Sequence, residues 1–440
     1  MPPFWYNLLL ILILPLYRLR VWQRSRQQPD YQAEVSQRFG DFAPAKQTGV
    51  VWIHAVSVGE TNAAQPIIQH LLDQGQKVLV TNTTRTGQAR VRQLFTHQVE
   101  SVFLPVDTLA LMTQFFDQYQ PKLIGLIETE LWPNLIHIAA QRNIPTILLN
   151  ARLSEKSAKG YAKFASLTRP MLQQLSCIAA QDAATAQRFI ALGADAKRVV
   201  VTGSLKFDLQ PPEPALQQAE QLRAAWQLDG RQIIVAASTH DPEENQILNI
   251  FKALHQRYPH TCLIIVPRHP ERFDRVAALI EEKGWTLARR SAGQAITPDT
   301  PVYLADSMGE LWTWYALADM AFVGGSLAAT GGHNPLEPAR LAVPIVMGSH
   351  TFNFAQIVQS LVDAGGLVQV GDVSGVYAVW AAWCEQPEQA KQIGQNGLQM
   401  LNANQGALAR QLGLLDGLLD GLLDGLLEKS SGQSNKNSID

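Results

Sequence analysis

The sequence predicts an α/β protein made of two doubly wound domains, each with a parallel β-sheet at its centre. Three observations lead to this prediction. Short apolar, β-rich runs alternate with stretches of helical length from residue 49 onward, the alternation breaks at a proline-rich segment, and it then starts again. Near-continuous apolar strands separated by helical crossovers are typical of a parallel sheet covered on both faces. A chain of 440 residues is long enough for two such domains.

The first domain is predicted over residues 27–205. Its strands are indicated by the runs GVVWIHAVS, QKVLVTNTT, SVFLPVD, PKLIGLIETE, IPTILLNAR, LSCIAAQD and RVVVTGSLKF. The stretch DLQPPEPALQ follows, and because prolines interrupt regular structure we expect residues 206–229 to form an interdomain linker.

The second domain is predicted over residues 230–410. Its strands are indicated by RQIIVAAST, TCLIIVPRH, TPVYLADS, DMAFVGGS and VPIVMGS. Ligands of open α/β sheets bind at the carboxyl ends of the strands. Two such domains joined by a proline-rich segment therefore predict a ligand-binding cleft between their strand ends.

The two ends of the chain differ from this pattern. Residues 1–17 carry no formal side-chain charge, and four arginines follow, Arg18, Arg20, Arg24 and Arg26. The run is short for a full membrane span and lacks the features of a cleaved signal peptide. We expect residues 1–26 to be a membrane anchor with a basic flank, spanning or monotopic, and the arginines predict that the rest is cytoplasmic. A buried amino-terminal helix is the alternative.

At the other end, residues 411–440 hold the repeat GLLDGLLDGLLDGLLE and a polar terminus. A period of four drifts against the 3.6 residues of a helical turn, and each glycine costs a helix about 1 kcal/mol relative to alanine. We expect a low-complexity extension of the last helix, followed by a disordered end.

Composition excludes several classes of function. The hydrophobic fraction is 46% and the charged fraction 17%, which suits large cores. The net charge of −2 does not indicate a nucleic-acid-binding surface. Cys177, Cys262 and Cys384 are far apart and show no metal-binding or CxxC spacing, which predicts a reducing compartment without a disulfide framework.

The first strand–helix junction, SVGETNAAQP, places a carboxylate at the end of a buried strand. Gly59 permits a sharp turn and Glu60 opens the helix. A carboxylate in the first turn of a helix is electrostatically favourable, which is a sufficient structural reason for it. Thr61 and Asn62 are available to cap the helix instead. Glu60 is then a candidate general base that the helix amino terminus would keep ionised.

Two further junctions of the first domain carry charges. In IETELWPN, Glu128 and Glu130 lie two residues apart, and in an extended chain they would point to the same face. In TGSLKFD, Lys206 stands at the end of the last strand, where its point charge suits a phosphate or carboxylate. A solvated strand end and a surface lysine are the alternatives.

The junctions of the second domain suggest an anion site. VPRHPERF places Arg268 and His269 after an apolar strand, and a guanidinium suits a phosphate. ADSMGELW ends a strand with the group Met308, Gly309 and Glu310.

The stretch VGGSLAATGGHNPLEPA is richest in glycine, and Gly324, Gly325, Gly331 and Gly332 permit close approach to a ligand. The helix after it should begin near Asn334 and Pro335 and offer an anion site, while Glu337 could accept hydrogen bonds from ribose hydroxyls. A loop shaped only for packing is the alternative. The chain has no GxGxxG at the first strand–helix junction and no GxxxxGK[ST], GxSxG, HExxH or EF-hand pattern. The carboxylates of HDPEEN show no metal-site spacing.

A set of motifs then occurs in order along the chain, to about residue 410: HAVSVGE, ETELWPN, NARLS, GSLKFD, VPRHPERF, DSMGEL, GGS…GGHNPLEPA and MGSHTFNF. In these motifs the chain resembles the Kdo transferases, the 3-deoxy-D-manno-oct-2-ulosonic acid transferases of lipopolysaccharide assembly. The GLLD repeat is not part of the resemblance. It implies a GT-B glycosyltransferase fold, with two facing Rossmann-like domains, the acceptor side first and the nucleotide-sugar side second.

The resemblance also implies the substrates and the location. The donor would be CMP-Kdo and the acceptor the lipid A precursor lipid IVA, with no cofactor, no metal and no nucleic acid. The enzyme would act at the cytoplasmic face of the bacterial inner membrane, in contact with its phospholipids. Nothing in the sequence indicates how many Kdo residues are transferred.

Residue roles follow from the same resemblance. Glu60 would accept the proton in an inverting displacement, and Glu130 and Lys206 would stabilise the transition state. The CMP contacts would be Arg268, His269, Met308, Gly309, Glu310, Asn334, Pro335, Leu336 and Glu337. Two alternatives stay open: a GT-B enzyme that uses a UDP-sugar, and a membrane-anchored Rossmann protein that binds nucleotide or lipid without turnover.

Overall fold

The computed structural model describes residues 2–26, 32–42 and 44–434. The described chain divides into two compact units. Unit 1 comprises the residues up to Leu205 and those from Gln405 onward, and unit 2 comprises Lys206–Asn404. Each unit has a parallel sheet with helices on both faces, so the predicted α/β class is confirmed.

The sheet of unit 1 has the strand order β3-β2-β1-β4-β5-β6-β7 within the described residues. The strands are β1 (Val51–His54), β2 (Val78–Asn82), β3 (Glu100–Phe103), β4 (Leu123–Ile127), β5 (Thr146–Ala151), β6 (Cys177–Ala180) and β7 (Val199–Val201). All neighbours pair in parallel, and every strand predicted for the first domain is present. The chain reverses its direction of winding between β1 and β4. We call this place the unit 1 switch point, and ligands of doubly wound sheets bind there.

Helices cover both faces of this sheet. They are α1 (Phe4–Arg26), α2 (Gln32–Phe39), α3 (Val58–Asp73), α4 (Arg85–Phe95), α5 (Leu109–Tyr119), α6 (Pro133–Gln141), α7 (Glu155–Ala162), α8 (Ala165–Gln173) and α9 (Ala183–Ala191). Trp52 of β1 packs with Phe115 of α5 in one core, and the next residue, Ile53, packs with Ile67 of α3 in the other. Successive side chains of a strand point to opposite faces, so a strand buried on both faces is apolar at every position.

The amino-terminal helix α1 is long and apolar enough to cross a membrane by length and composition. Among its side chains only Val21 and Ser25 are buried. This contradicts the alternative of a buried amino-terminal helix and is consistent with the predicted anchor.

The carboxyl-terminal helix α18 (Ala407–Ser434) also belongs to unit 1. Leu415 and Leu419 of the GLLD repeat are buried in the core that contains α3. A residue four positions on is rotated by about 40° around a helix, so two successive repeats keep their leucines on one face before the drift takes effect. The first repeats therefore lie in a regular helix, and the burial of their leucines in a core is what the expected low-complexity extension of the last helix did not include. Residues 435–440, at the end that was expected to be disordered, lie outside the described residues.

Unit 2 is described throughout, and its sheet has the order β10-β11-β9-β8-β12-β13-β14. The strands are β8 (Gln232–Thr239), β9 (Thr261–Pro267), β10 (Leu287–Arg289), β11 (Val302–Leu304), β12 (Met320–Val323), β13 (Ile345–Met347) and β14 (Leu367–Gln369). All pairs are parallel. The five predicted strands are present, and the two edge strands β10 and β14 were not predicted. The unit 2 switch point lies between β8 and β12.

The helices of unit 2 are α10 (Glu213–Ala225), α11 (Glu243–Arg257), α12 (Phe273–Glu282), α13 (Leu311–Leu317), α14 (Leu336–Arg340), α15 (Ala355–Asp363), α16 (Val373–Glu385) and α17 (Pro387–Ala403). Residues 206–229, which we expected to be a linker, belong to this unit. Helix α10 begins in the proline-rich stretch because proline suits a first helical turn. It packs against α13, where Arg223 donates to the carbonyl of Leu317 at 2.8 Å.

Candidate active site

Glu60 lies at the unit 1 switch point, in the first turn of α3, directly after the carboxyl end of β1. Its carboxylate accepts a 2.6 Å hydrogen bond from the backbone N–H of Val56 and a 3.2 Å bond from the Ser57 hydroxyl. Ser57 is the N-cap of the helix and its hydroxyl oxygen accepts from the backbone N–H of Glu60. The arrangement differs from a capping box in that the carboxylate binds the N–H of Val56, one residue before the N-cap, and these bonds fix the carboxylate in place.

The expected capping residues do something else. Thr61 accepts a hydrogen bond from the Asn82 side chain, and Asn62 accepts one from Arg90. The helix begins earlier than the sequence suggested, because Ser57 has the side chain that the N-cap position needs.

The pKa of Glu60 is raised to about 7. Burial is the largest cause, and the negative charges of Glu130 and Glu128 add to it, while the hydrogen bonds from Val56 and Ser57 lower the pKa and offset part of the rise. The expectation that the helix amino terminus keeps Glu60 ionised is therefore incomplete, because burial outweighs the helix end. A general base works best when its pKa lies near the pH of the reaction, which Glu60 satisfies.

Glu128 and Glu130 follow β4 on the other side of the switch point. The strand ends at Ile127, and Glu128 has a positive φ of 61°, a left-handed conformation that is uncommon outside glycine. The extended geometry assumed for this pair is thus wrong. The Glu130 carboxylate accepts a 3.0 Å hydrogen bond from the indole of Trp132.

His54 is a residue of this site that we did not single out from the sequence. It is fully buried at the end of β1, and its Nδ1 lies 2.8 Å from the Thr81 hydroxyl. Its Nε2 lies 3.7 Å from a carboxylate oxygen of Glu130 and has no hydrogen-bond partner among the described residues. A polar residue in an otherwise apolar buried strand was the available signal.

Lys206 lies in a 3₁₀ turn, Leu205–Asp208, and is the first residue of unit 2. The last strand of unit 1, β7, ends at Val201. Lys206 is therefore not at the strand end itself, as we expected, but at the junction where one unit gives way to the next along the chain.

In unit 2, Arg268 and His269 follow β9 as predicted, and both side chains are exposed. The charge of Arg268 influences two groups of the glycine-rich loop, lowering the pKa of His333 and that of Glu337. Nε2 of His333 lies 2.7 Å from Nε2 of His240, the residue that follows β8. Burial is the main cause that lowers the pKa of His333 to about 4.

A buried carboxylate, Glu243, holds the glycine-rich loop at the unit 2 switch point. It accepts hydrogen bonds of 2.8–3.2 Å from consecutive backbone N–H groups, those of Gly325, Ser326, Leu327 and Ala328, and one from His240. The side chain is 0% exposed. The acidic stretch HDPEEN was noticed in the sequence, but it was tested only as a metal site and its spacing did not fit one.

The glycines of this loop serve its shape. A Cβ on Gly324 would lie 2.5 Å from the carbonyl oxygen of Ser238, and Gly331 and Gly332 have positive φ angles of 99° and 74°. We expected the glycines to let the backbone approach a ligand closely. At Gly324 the backbone instead approaches the neighbouring strand β8.

The segment after this loop is more compact than predicted. Helix α14 has 5 residues and begins at Leu336, with Pro335 at its N-cap, so it offers less of a helix dipole than expected. Asn334 accepts from the backbone N–H of Leu336 at 3.1 Å and donates to Glu337 at 3.3 Å. Burial raises the pKa of Glu337 to about 7, against the opposing effects of Asn334 and Arg268.

The segment with Met308, Gly309 and Glu310 precedes α13. The Glu310 carboxylate binds Arg290 at 2.6 Å and also accepts from Gln218 at 2.8 Å, and the bond to Arg290 is the main cause that lowers its pKa to about 2. Met308 is 57% exposed and Gly309 has a positive φ of 85°. The segment therefore exposes the Met308 thioether and its own main chain, while the Glu310 carboxylate is bound by Arg290 and Gln218 within unit 2.

The described residues hold no group of three or more His, Cys, Asp or Glu side chains that could bind a metal ion. The site residues thus form two sets, acidic in unit 1 and rich in histidine and backbone N–H groups in unit 2.

Comparison with known proteins shows the family. A family model described as 3-deoxy-D-manno-octulosonic-acid transferase (kdotransferase) matches residues 33–209. The chain is 39% identical to the 3-deoxy-D-manno-octulosonic acid transferase of Haemophilus influenzae over 417 residues, which cover 94% of this chain and 97% of that one. The chain belongs to the Kdo transferase family. The enzyme of the same name from Bordetella pertussis is 37% identical over 381 residues, covering 83% of this Kdo transferase and 88% of the relative.

Solved structures show the fold of this Kdo transferase. The match to UDP-GlcNAc 2-epimerase from Neisseria meningitidis covers 84% of this Kdo transferase and 99% of the epimerase chain. Its TM-score is 0.55 and the sequence identity is 15%. The C-terminal CMP-Kdo binding domain of WaaA from Acinetobacter baumannii is 43% identical to the matched part of this chain. The match covers 43% of this chain and 99% of that domain, with a TM-score of 0.42. The GT-B fold predicted from the sequence is confirmed, and the assignments of individual site residues stay predictions.

Proposed function

We propose that this Kdo transferase moves Kdo from CMP-Kdo to lipid IVA in lipopolysaccharide core biosynthesis, with Glu60 as the general base. Family membership supports the transfer of Kdo. The observation that carries the mechanism is the geometry of Glu60, a carboxylate fixed by Val56 and Ser57 at the unit 1 switch point with a pKa of about 7.

The proposed reaction is an inverting displacement. The Glu60 carboxylate takes the proton of an acceptor sugar hydroxyl, and the hydroxyl oxygen forms a bond to the anomeric carbon of Kdo. The bond from that carbon to the CMP phosphate oxygen breaks, and its electron pair leaves with CMP. The protonated Glu60 then returns its proton to solvent. Because Glu60 is partly buried, its neutral form is tolerated after the transfer.

Glu130 and Lys206 are proposed to stabilise the transition state. The anomeric carbon gains positive character as CMP leaves, and the negative charge of Glu130 near Glu60 favours such a carbon. The ammonium of Lys206 is proposed to bind the carboxylate that Kdo itself carries. No cofactor enters this scheme.

Unit 2 is proposed to bind the CMP part of the donor. Arg268 supplies a permanent positive charge for the phosphate, beside the glycine-rich loop whose shape Glu243 maintains. Glu337 accepts hydrogen bonds from the ribose. His269, Asn334, Pro335 and Leu336 line the same loops, while Met308 and Gly309 contact the nucleotide. Glu310 acts through its main chain, since its carboxylate is bound to Arg290. With these groups holding the leaving phosphate, we expect transfer without a metal ion.

We also propose that the enzyme works at the cytoplasmic face of the bacterial inner membrane, where α1 is its anchor and phospholipids are its neighbours. A lipid acceptor lies in that surface, so an anchored enzyme searches in two dimensions.

Incubation of the full chain with CMP-Kdo and lipid IVA, followed by mass spectrometry, tests this proposal. We expect a product heavier by one or more Kdo units, with release of CMP. A parallel reaction with UDP-sugars is the control. Turnover of a UDP-sugar in place of CMP-Kdo would support the other GT-B enzyme, and binding of CMP-Kdo without any product would contradict the enzymatic role.

A further inference from the structure

Helix α1 contacts unit 1 along one side of its length. Its less exposed side chains recur every three or four residues, at Pro3, Asn7, Leu10, Leu14, Tyr17 and Val21. This spacing places them on a single stripe of the helix. We call this stripe the docked face.

Polar contacts fasten the amino-terminal end of α1. The Tyr6 hydroxyl donates to Asp107 at 2.8 Å, and Asn134 donates to the Asn7 side chain at 2.8 Å. Asp107 is itself buried and accepts from the backbone N–H groups of Asn134 and Leu135 at 2.9 Å. The tether therefore reaches into the folded part of unit 1, at the start of α6.

The other end of α1 is fastened to the same unit. The ring of Tyr17 lies 5.8 Å from that of Phe39 on α2, and the guanidinium of Arg18 lies 5.7 Å from the same ring. Val21 and Ser25 are buried. A helix that is docked near both ends on one folded unit cannot cross a bilayer unless that unit enters the bilayer with it.

Length leads to the same conclusion. The uncharged part of the helix, Phe4–Tyr17, is about 21 Å long at 1.5 Å per residue. The hydrocarbon core of a bilayer is about 30 Å thick. A span that begins at Phe4 would need about 20 residues, so Arg18 and Arg20 would have to enter the core.

The face opposite the docked face is apolar and exposed. It presents Trp5, Leu8, Leu12, Leu16 and Leu19, and Leu16 is 71% exposed. Soluble proteins rarely expose a continuous apolar surface of this length. We call it the outward face.

A second element extends the outward face. Phe164, which lies between α7 and α8, is 55% exposed, and its ring lies 5.8 Å from that of Trp5. Helix α7 has no buried residue. Lys156 and Lys159 of this helix and the adjacent Lys163 are exposed, and Lys159 pairs with Glu155 at 2.6 Å.

We propose that α1 is an in-plane, monotopic anchor: its outward face and Phe164 enter one leaflet of an anionic phospholipid membrane, and the lysines of α7 and the arginines of α1 contact the headgroups. Amphipathic helices bind membranes in this way, with basic residues next to an inserted apolar face. The proposal rests on the membrane location proposed above and adds that α1 does not span.

The same surface leads to the carboxylates of unit 1. The Thr129 hydroxyl donates to the carbonyl oxygen of Arg152, shortly before α7. Tyr161 of α7 is close enough to Glu130 for that charge to raise its pKa, in addition to burial. An acceptor held in the leaflet under α7 would therefore have its sugar headgroup beside Glu130.

Labelling of the two ends of α1 distinguishes an in-plane helix from a spanning one. Full-length Phe4→Cys and Gln23→Cys variants, each with Cys384→Ser, are bound to preformed phosphatidylethanolamine–phosphatidylglycerol vesicles, because Cys177 and Cys262 are buried and can stay. We expect a membrane-impermeant maleimide, added outside, to modify both sites. Protection of Phe4→Cys until detergent is added would show a span and overturn the proposal.

Charge reversal tests the lipid surface itself. The variant Lys156→Glu/Lys163→Glu should bind these vesicles at least about 30-fold more weakly, because the loss of two basic residues near an anionic surface already gives that factor and the introduced glutamates add repulsion. The matched control, Lys197→Glu/Lys252→Glu, changes the net charge equally at exposed sites elsewhere and should bind as the parent does. Equal loss in both variants would overturn the proposal. The proposal would also be overturned if the protein did not bind vesicles and light scattering showed dimers, since a second copy would then cover the outward face.

These assays contain neither CMP-Kdo nor lipid IVA. Sugar transfer is measured separately in detergent micelles. Transfer can be observed there even if the labelling shows that α1 spans the membrane, and α1 can lie in the membrane plane even if no transfer is observed.

Discussion

The two switch points have the same construction and use their carboxylates in opposite ways. In unit 1, Glu60 follows β1, is partly buried and accepts hydrogen bonds from Val56 and Ser57. In unit 2, Glu243 follows β8 and is saturated by backbone N–H groups of the glycine-rich loop. Both residues stand in the first turn of a helix after a buried strand.

The difference shows that position in the fold does not assign a role. A carboxylate surrounded by donors is a fixed structural anion, and its loss leaves several buried N–H groups without partners. A carboxylate that is buried near other carboxylates has a raised pKa and can exchange a proton near neutrality. Glu60 is of the second kind, and Glu243 is of the first.

The largest expected effect comes from Glu60→Gln. The amide keeps the shape of the side chain but cannot take a proton, so kcat should fall by roughly 10²–10⁴ while the KM for CMP-Kdo stays near the parent value. Steady-state transfer assays measure both quantities. Glu220→Gln, at an exposed glutamate of α10, is the control and should transfer normally. Full transfer by Glu60→Gln would show that Glu60 is not the base.

Glu243→Gln tests the other member of the comparison. Its amide accepts fewer hydrogen bonds and turns N–H donors toward backbone N–H groups, so the free energy of unfolding should fall by about 1–3 kcal/mol. The KM for CMP-Kdo should rise because the glycine-rich loop loses its support. Urea unfolding and transfer assays measure these changes. The exposed Glu281→Gln on α12 is the control, and an unchanged stability and KM for Glu243→Gln would refute a structural role.

The pH dependence of transfer sharpens the assignment of Glu60. The base must be deprotonated, so kcat/KM should rise with pH up to about 7 and then level off. The charge of Glu130 raises the pKa of Glu60, and Glu130→Gln should therefore move this limb toward lower pH, whatever its effect on the maximal rate. A pH–rate profile of each variant measures the limb. A limb that stays in place or moves toward higher pH would contradict the coupling.

The smallest effect is expected at a partly exposed carboxylate of the repeat. Asp416 contacts His70 of α3 at 3.0 Å, and Asp416→Asn should lower the free energy of unfolding by only about 0.2–1 kcal/mol. Thermal or urea unfolding measures this, with Asp420→Asn, at the exposed position of the next repeat, as the control. A loss as large as that of Glu243→Gln would mean that exposure does not separate the two kinds of carboxylate.

Much of the fold followed from pattern alone. Twelve strands, of three to eight residues, were recognisable because buried parallel strands are apolar at consecutive positions. The strands β10 and β14 were not recognised, since each has three residues of which one is polar, whereas the equally short β7 consists of three valines. Residues 206–229 were misjudged because the prolines that suggested a linker also start a helix.

The site was predicted less completely. Glu60 and Arg268 could be proposed from their places after apolar strands, and the family resemblance gave them roles. His54 and Glu243 were missed as site residues because their partners, Glu130 and the loop from Gly325 to Ala328, are far away in the sequence. No local pattern contains that information.

The periodicity of apolar residues and the positions of glycine and proline are enough to establish two parallel sheets, their strand–helix junctions and an apolar amino-terminal helix. These features depend on residues that are neighbours in the chain. Three other features depend on folding. They are the role of a carboxylate as a base or as a structural anion, the side of α1 that is docked, and the place where the GLLD leucines are buried. The reason is that pKa values, hydrogen-bond saturation and burial are set by groups that only the tertiary structure brings together.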